Sequence, residues 1–112
     1  TLGAFVEGEL AGIATFVRDI GVKNRHKGHI YGVFVSAAQR GKGVGRALIR
    51  ALLEKAKQDA SLEHILLCVA TCQEAARQLY CGCGFEVFGT EPHALKVGSR
   101  YIDEEHMILR IR

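Results

Sequence analysis

His29-Ile30-Tyr31-Gly32-Val33-Phe34-Val35 and, a few residues on, Gln39-Arg40-Gly41-Lys42-Gly43-Val44-Gly45-Arg46 decide the fold of this chain. The first run is rich in β-branched and aromatic residues and predicts a buried strand. After the glycine-rich run, Val44, Ala47, Leu48, Ala51, Leu52 and Ala56 recur at helical spacing. Arg46, Arg50, Lys57 and Asp59 are predicted on the opposite, solvated side. A strand therefore runs into a glycine-rich turn that opens an amphipathic helix. His64 to Ala70 (HILLCVA) predicts a second central strand. Strand, helix, strand implies parallel pairing, because a helix is the usual way to return the chain to the same edge.

Working outward, the apolar stretches from Leu2 to Arg18 flank Glu7-Gly8-Glu9 and predict two antiparallel strands around a tight turn. Polar Lys23 to Gly28 predicts a loop. Downstream, Thr71-Cys72-Gln73-Glu74 fits a capping box. Ala75, Ala76, Leu79 and Tyr80 continue as a short helix stopped by Gly82 and Gly84. Phe85 to Phe88 and Met107 to Ile111 predict a closing pair of strands, with a polar segment from Glu91 to Glu105 turning at Gly98 between them. The whole is a mixed α/β domain.

At 112 residues, 48% hydrophobic and 24% charged, the chain has the size and composition of one folded domain. No apolar run approaches the roughly 20 residues that cross a bilayer, and no signal peptide opens the sequence, so no membrane partner is expected. It begins at Thr1 without methionine, which points to trimming or an incomplete gene product. A net charge of +3 falls short of a nucleic-acid-binding composition. The basic run Lys23-Asn24-Arg25-His26-Lys27 has no interleaved aromatics and reads as a solvated loop, so no nucleic-acid partner is expected either. Cys68, Cys72, Cys81 and Cys83 lie too close together for a usual disulfide framework. Their spacing is not a standard zinc pattern, so no metal is expected. They read as reduced, mostly buried thiols of a cytoplasmic protein.

Gly41, Gly43 and Gly45 leave backbone N–H groups open at the start of a helix, which with the helix dipole suits a phosphate. Arg40, Lys42, Arg46 and Arg50 add full positive charges. A P-loop needs Lys-Ser or Lys-Thr after the glycines, and neither is there. A dinucleotide fingerprint needs a third glycine where Leu48 stands and an acid at the end of the next strand. Glu63 precedes that strand instead.

The pattern that remains, Arg40-x-x-Gly43-x-Gly45, resembles the Gln/Arg-x-x-Gly-x-Gly/Ala signature of the GNAT (Gcn5-related) N-acetyltransferases. Gly32-Val33-Phe34-Val35 and Ala47-Leu48 resemble that family's central strand and helix. Ala76-Arg77-Gln78-Leu79-Tyr80 followed by Gly84-Phe85-Glu86 is similar to its second hallmark. The stretch from Gly89 to Met107 resembles its closing hairpin. The resemblance implies a mixed, mostly antiparallel sheet with a parallel βαβ core, and transfer of acetyl from acetyl-CoA to a primary amine of a small molecule or peptide. It implies that Arg40, Gly41, Lys42, Gly43, Val44, Gly45 and Arg46 cradle the pyrophosphate of coenzyme A. It further implies that Phe34 and Val35 pair with the pantetheine arm, and that an N–H near Val35 stabilises the oxyanion. Tyr80 would protonate the departing thiolate. Gln73 stands where the family often carries asparagine in contact with coenzyme A.

No carboxylate lies in His29 to Val35, and His26, His29 and Tyr31 are candidates for a general base without one being assigned. The resemblance also implies a strand and two helices ahead of the opening hairpin, forming one wall of the acceptor groove. None precedes Thr1 here. The flank so exposed predicts a homodimer. An acyl-CoA-binding or interaction module without turnover is the alternative to an enzyme.

Overall fold

Why the chain forms one sheet with helices to one side follows from where its apolar residues fall. A computed structural model describes residues 2–6, 9–18, 23, 26–36 and 43–111. In chain order the elements are β1 (Leu2–Val6), β2 (Glu9–Arg18), β3 (Lys27–Val35), α1 (Val44–Lys57), β4 (His64–Ala70), α2 (Glu74–Gly82), β5 (Glu86–Val97) and β6 (Arg100–Arg110). Among the described residues the sheet is six-stranded, in the order β1-β2-β3-β4-β6-β5. Only β3 and β4 are parallel; every other pair is antiparallel. This is the mixed, mostly antiparallel sheet with a parallel βαβ core that the sequence predicted. Among the described residues no helix is long and apolar enough to cross a membrane.

Alternation along β4 sets its two faces: Ile65, Leu67 and Val69 are buried, while His64, Leu66, Cys68 and Ala70 are not. The buried set joins Leu48, Ile49, Leu52, Leu53 and Ala56 of α1 and Tyr80 of α2 in one core. Both helices lie over this side and touch each other, since a Cβ added at Gly45 would stand 3.1 Å from Leu79 Cδ2. The buried stripe of α1 is rotated from the expected one. Ala47 and Ala51 are exposed, and the larger Ile49 and Leu53 take the core positions because they bury more apolar area.

Two features shape the region between β3 and β4. Opposite β2, β3 carries one extra residue: Ile13 faces Phe34, yet Thr15 faces Tyr31. Gly32 and Val33 therefore share the place opposite Ala14, a bulge of the kind that bends a strand and increases its twist. On the other edge, β3 and β4 pair only at Lys27–His64, Gly28–Ile65 and His29–Leu66. Beyond His29 the two strands part, although β3 continues to Val35 and β4 to Ala70. The closed end is tied from several directions. The His26 carbonyl accepts from the Glu63 and His64 N–H groups at 2.8 and 3.1 Å. Arg18 pairs with Asp59 and donates to Ser61, fixing the end of β2 to the turn after α1.

Several expectations need correction. Thr71 is not a cap: its N–H donates to the Asp103 carbonyl at 2.9 Å, which holds it against β6. The helix starts two residues later with Gln73 at the N-cap, and Glu74 pairs with Arg77 at 2.8 Å instead of closing a box. Lys27 and Gly28 belong to a strand, not to the preceding loop. The polar segment from Glu91 to Glu105 is strand for most of its length, because β5 is an edge and tolerates exposed side chains on both faces. Its irregularity sits at Glu91–Leu95, where His93 has φ 52° and donates its N–H to Asp103 Oδ1. The cysteines are free, as expected, but Cys68, Cys72 and Cys81 are exposed and Cys83 is half-buried, since they fall on the open sheet face, a turn and the outer side of α2. The turn at Glu7-Gly8 and the basic residues Asn24 and Arg25 lie outside the described residues.

β2, β3 and α1 meet closely at Gly12. A Cβ there would stand 2.8 Å from the Phe34 carbonyl oxygen, 3.0 Å from Leu48 Cδ1 and 3.3 Å from Val44 Cγ1. The first of these neighbours is backbone and cannot swing aside. Gly12→Ala is expected to destabilise by about 1–3 kcal/mol, lowering the thermal midpoint by several degrees. An unchanged midpoint would mean that β3 and α1 can separate freely at this point.

Candidate active site

Where β3 and β4 separate, a cleft of about 780 Å³ opens. His29, Tyr31 and Val33 line it from β3, and Leu66, Cys68 and Ala70 from β4. Gln73, Ala76 and Tyr80 reach it from α2, with Phe88, Glu104 and His106 from the closing hairpin. The strand walls present backbone polar groups that ladder partners leave open once the β3–β4 pairing ends at His29 and Leu66. An extended, amide-bearing chain laid there would complete the sheet as an added strand.

α1 begins at the other end of this opening. Gly43 occupies its N-cap with φ 81°, a left-handed conformation that glycine adopts without strain. Among the described residues a Cβ there would meet nothing within 4 Å, and the positive φ alone already favours glycine. Among the described residues no side chain caps the helix, and its first turn holds no acid. The first intrahelical bond runs from the Ala47 N–H to the Gly43 carbonyl, at 3.0 Å. The N–H groups of Val44, Gly45 and Arg46 thus have no acceptor within the helix, and the dipole adds partial positive charge. Gly45 packs this turn against β3 and α2: its Cβ position is 3.6 Å from Val35 Cγ2 as well as 3.1 Å from Leu79 Cδ2.

Tyr80 is held from three sides. One turn earlier, Arg77 pairs through Nε with the buried Glu105 of β6 and through Nη1 with Glu74. The Tyr80 carbonyl accepts from the Phe85 N–H at 3.0 Å, where the chain reverses through Gly84 at φ 101°. The two rings meet edge to face with centroids 6.1 Å apart. Burial raises the phenol above its ordinary value, and the neighbouring Cys83 adds to the shift, so Tyr80 stays protonated as a neutral donor. The Cys68 thiol is likewise pushed up, by burial first and then by Glu104 and Glu91.

The structure therefore brings Gln73 and Tyr80 together in the cleft, while Gly43, Val44, Gly45 and Arg46 open α1 beside the tip of β3 and do not line it. Phe34 and Val35 lie at the tip of β3 opposite Ile13 and Gly12 and do not line the cleft. Arg40, Gly41 and Lys42 lie outside the described residues. Of the candidate bases, His29 and Tyr31 line the cleft and stack on each other at 5.7 Å; His26 sits at the closed end against His64. Glu104 and His106 escaped the sequence reading because the sequence predicts the last strand only from Met107, with Glu104 in the polar segment before it, whereas β6 begins at Arg100. Alternation about the buried Glu105 and Met107 would have put both on the opposite face. Among the described residues no three His, Cys, Asp or Glu side chains gather as a metal site.

Comparison with known proteins bears on this geometry. The model of the Acetyltransferase (GNAT) family matches residues 1–85. An acetyltransferase of the GNAT family from Streptococcus pneumoniae superposes with a TM-score of 0.92 at 27% identity, over 98% of this chain and 65% of that one. A ribosomal-protein-alanine N-acetyltransferase from Brucella melitensis gives 0.86 at 25%, over 97% and 67%. A Salmonella typhimurium structure holding its cofactor acetyl-CoA gives 0.89 at 23%, over 98% and 63%, a likeness of fold. The chain thus spans about two thirds of the length of these proteins.

The raised phenol has a measurable consequence. A group held neutral by the fold contributes stability that is complete below its unfolded pKa, about 10 for tyrosine, and lost as pH rises through the folded value. The midpoint difference between wild type and Tyr80→Phe should be constant near neutrality and move in favour of the variant in alkali. A difference independent of pH would show that burial does not hold the phenol neutral.

Proposed function

The chain belongs to the GNAT acetyltransferase family, and from that premise we propose that it transfers acetyl from acetyl-CoA to a primary amine, on a small molecule or a peptide, directly within a ternary complex. The observation that carries this reading is the parting of β3 and β4 beyond His29 and Leu66, between an uncapped helix N-terminus and a buried phenol. In this reading the diphosphate of acetyl-CoA lies on the N–H groups of Val44, Gly45 and Arg46, with Arg40, Gly41, Lys42 and Gly43 completing the turn. The pantetheine arm enters the cleft as an added strand, and Gln73 contacts it from the start of α2. Because Val35 abuts Gly45, we assign it and Phe34 to the outer part of the arm. The thioester carbonyl then falls deeper, against the N–H groups of β3 that face β4, which stabilise the oxyanion.

The neutral amine attacks the carbonyl carbon, forming the C–N bond as the C–S bond breaks. The electron pair leaves on sulfur and takes the phenolic proton of Tyr80. Nitrogen returns a proton to that phenolate, leaving amide and free thiol.

Acetyl-CoA at 100 times its dissociation constant should stabilise the protein by about 2.7 kcal/mol, a shift of several degrees in midpoint that NAD and ATP at the same concentration do not match. No shift with acetyl-CoA overturns the proposal. Tyr80→Phe should keep the shift and lose acetyl transfer by about 10²-fold or more. Bound acetyl-CoA with no transfer to any amine would instead describe a binding module.

A further inference from the structure

The proposed reaction leaves one role unfilled: an ammonium acceptor must lose a proton before it can attack. The geometry points to His106 as the group that takes it, positioned by Cys68, an assignment that rests on the reading of the cleft as an acetyl-transfer site. His106 lies on β6 in register with Cys68 of β4, and its Nδ1 stands 3.2 Å from the Cys68 Sγ. Phe88 meets the same ring edge to face, with centroids 6.1 Å apart. Two contacts from two neighbouring strands thus fix the imidazole, and both His106 and Cys68 line the cleft that Tyr80 lines from α2.

Charge around this point favours a cationic acceptor. Glu104 precedes His106 by two residues on the same strand and also lines the cleft. It stands directly opposite Glu91 of β5, and two like charges in such a pair repel. An ammonium brought between them relieves that repulsion. The other ionisable groups facing the cleft are His29 and Tyr31 of β3, already stacked on each other, and Tyr80. Imidazole is the side chain suited to take and release a proton near neutral pH. The thiol, pushed up by burial, carries its own proton, and its sulfur still has lone pairs that can accept from Nδ1–H. The imidazole tautomer distinguishes this from S–H donation to a bare Nδ1.

The role fixes the tautomer. Nδ1 carries the hydrogen and donates to Cys68 Sγ, so that Nε2 has the free lone pair. The acceptor ammonium gives one proton to Nε2, and the neutral amine then attacks the thioester. His106 returns that proton to solvent, while the second proton lost by nitrogen passes to Tyr80, whose own has gone to the thiolate. Protons balance: one leaves with the product thiol and one enters solvent. Cys68 acts through His106 and is a positioning residue.

Two measurements test this together. In the ¹⁵N spectrum of imidazole-labelled protein near neutral pH, the His106 signal should be that of the Nδ1–H tautomer, and Cys68→Ala should abolish the preference while Cys68→Ser preserves it. An Nε2–H tautomer in wild type overturns the assignment. Acetyl transfer is then compared between a set of alkyl primary amines, which are ammonium ions at neutral pH, and hydroxylamine, which is already neutral. His106→Ala and His106→Asn should each lower transfer to the alkyl amines by about 10²-fold or more, the scale of general-base catalysis, and transfer to hydroxylamine by less than about 10-fold. Both variants should retain the midpoint shift with acetyl-CoA. Equal losses on both kinds of acceptor, or none on either, overturn the role of His106. Wild-type transfer to hydroxylamine but to no alkyl amine overturns the base assignment while sparing the acetyl-transfer reading. Acetyl-CoA binding with transfer to neither overturns that reading, and the base with it.

Discussion

A sheet whose central strands stayed paired would have no room for a substrate; here the pairing of β3 with β4 ends at His29, and one extra residue in β3 follows just beyond Tyr31. Gly32 and Val33 together face Ala14, and past this bulge β3 remains paired with β2 through Phe34 and Val35. It follows β2 away from β4. The closed end cannot follow, because the His26 carbonyl binds the start of β4 and Arg18 clamps the turn after α1. A strand bent at its middle and tied at one end must diverge at the other.

Everything that borders the cleft depends on that divergence. α1 packs its first turn against the tip of β3 through Gly45 and Val35, so the N–H groups that find no acceptor within the helix lie beside that tip. α2 is fixed independently, by the Arg77 pair with buried Glu105 and by the reversal at Gly84. β6 pairs with β4 from His64 to Ala70, which carries Cys68, His106 and Glu104 onto the open face as one row. The phenol and the imidazole therefore approach the cleft from different layers of the fold, and neither depends on a mobile loop for its place.

Much of this was readable from residues. The run HILLCVA predicted β4 from His64 to Ala70, and the glycine run predicted where α1 begins. Tyr80 and Gln73 were identified from a family likeness and both line the cleft. What escaped depended on partners far along the chain. Thr71 looks like a cap until Asp103 takes its N–H, and the buried face of α1 moves because the sheet beneath it selects Ile49 and Leu53 over Ala47 and Ala51. Phe34 and Val35 read as partners of the pantetheine arm, and they close β3 opposite Ile13 and Gly12, beyond the register shift that follows Tyr31. His106 could not be placed on a face while the last strand was expected only from Met107, since alternation has meaning only once a segment is known to be extended.

Amide hydrogen exchange of the whole chain with and without acetyl-CoA tests the central claim most directly, because it reports on the strand edges themselves. If the parted strands receive an extended arm, exchange should slow on binding at amides between Tyr31 and Phe34 that face β4, and at the first turn of α1, with little change in β1 or in the β5–β6 turn at Gly98. Binding that protects other segments and leaves Tyr31 to Phe34 exchanging as before would contradict the account.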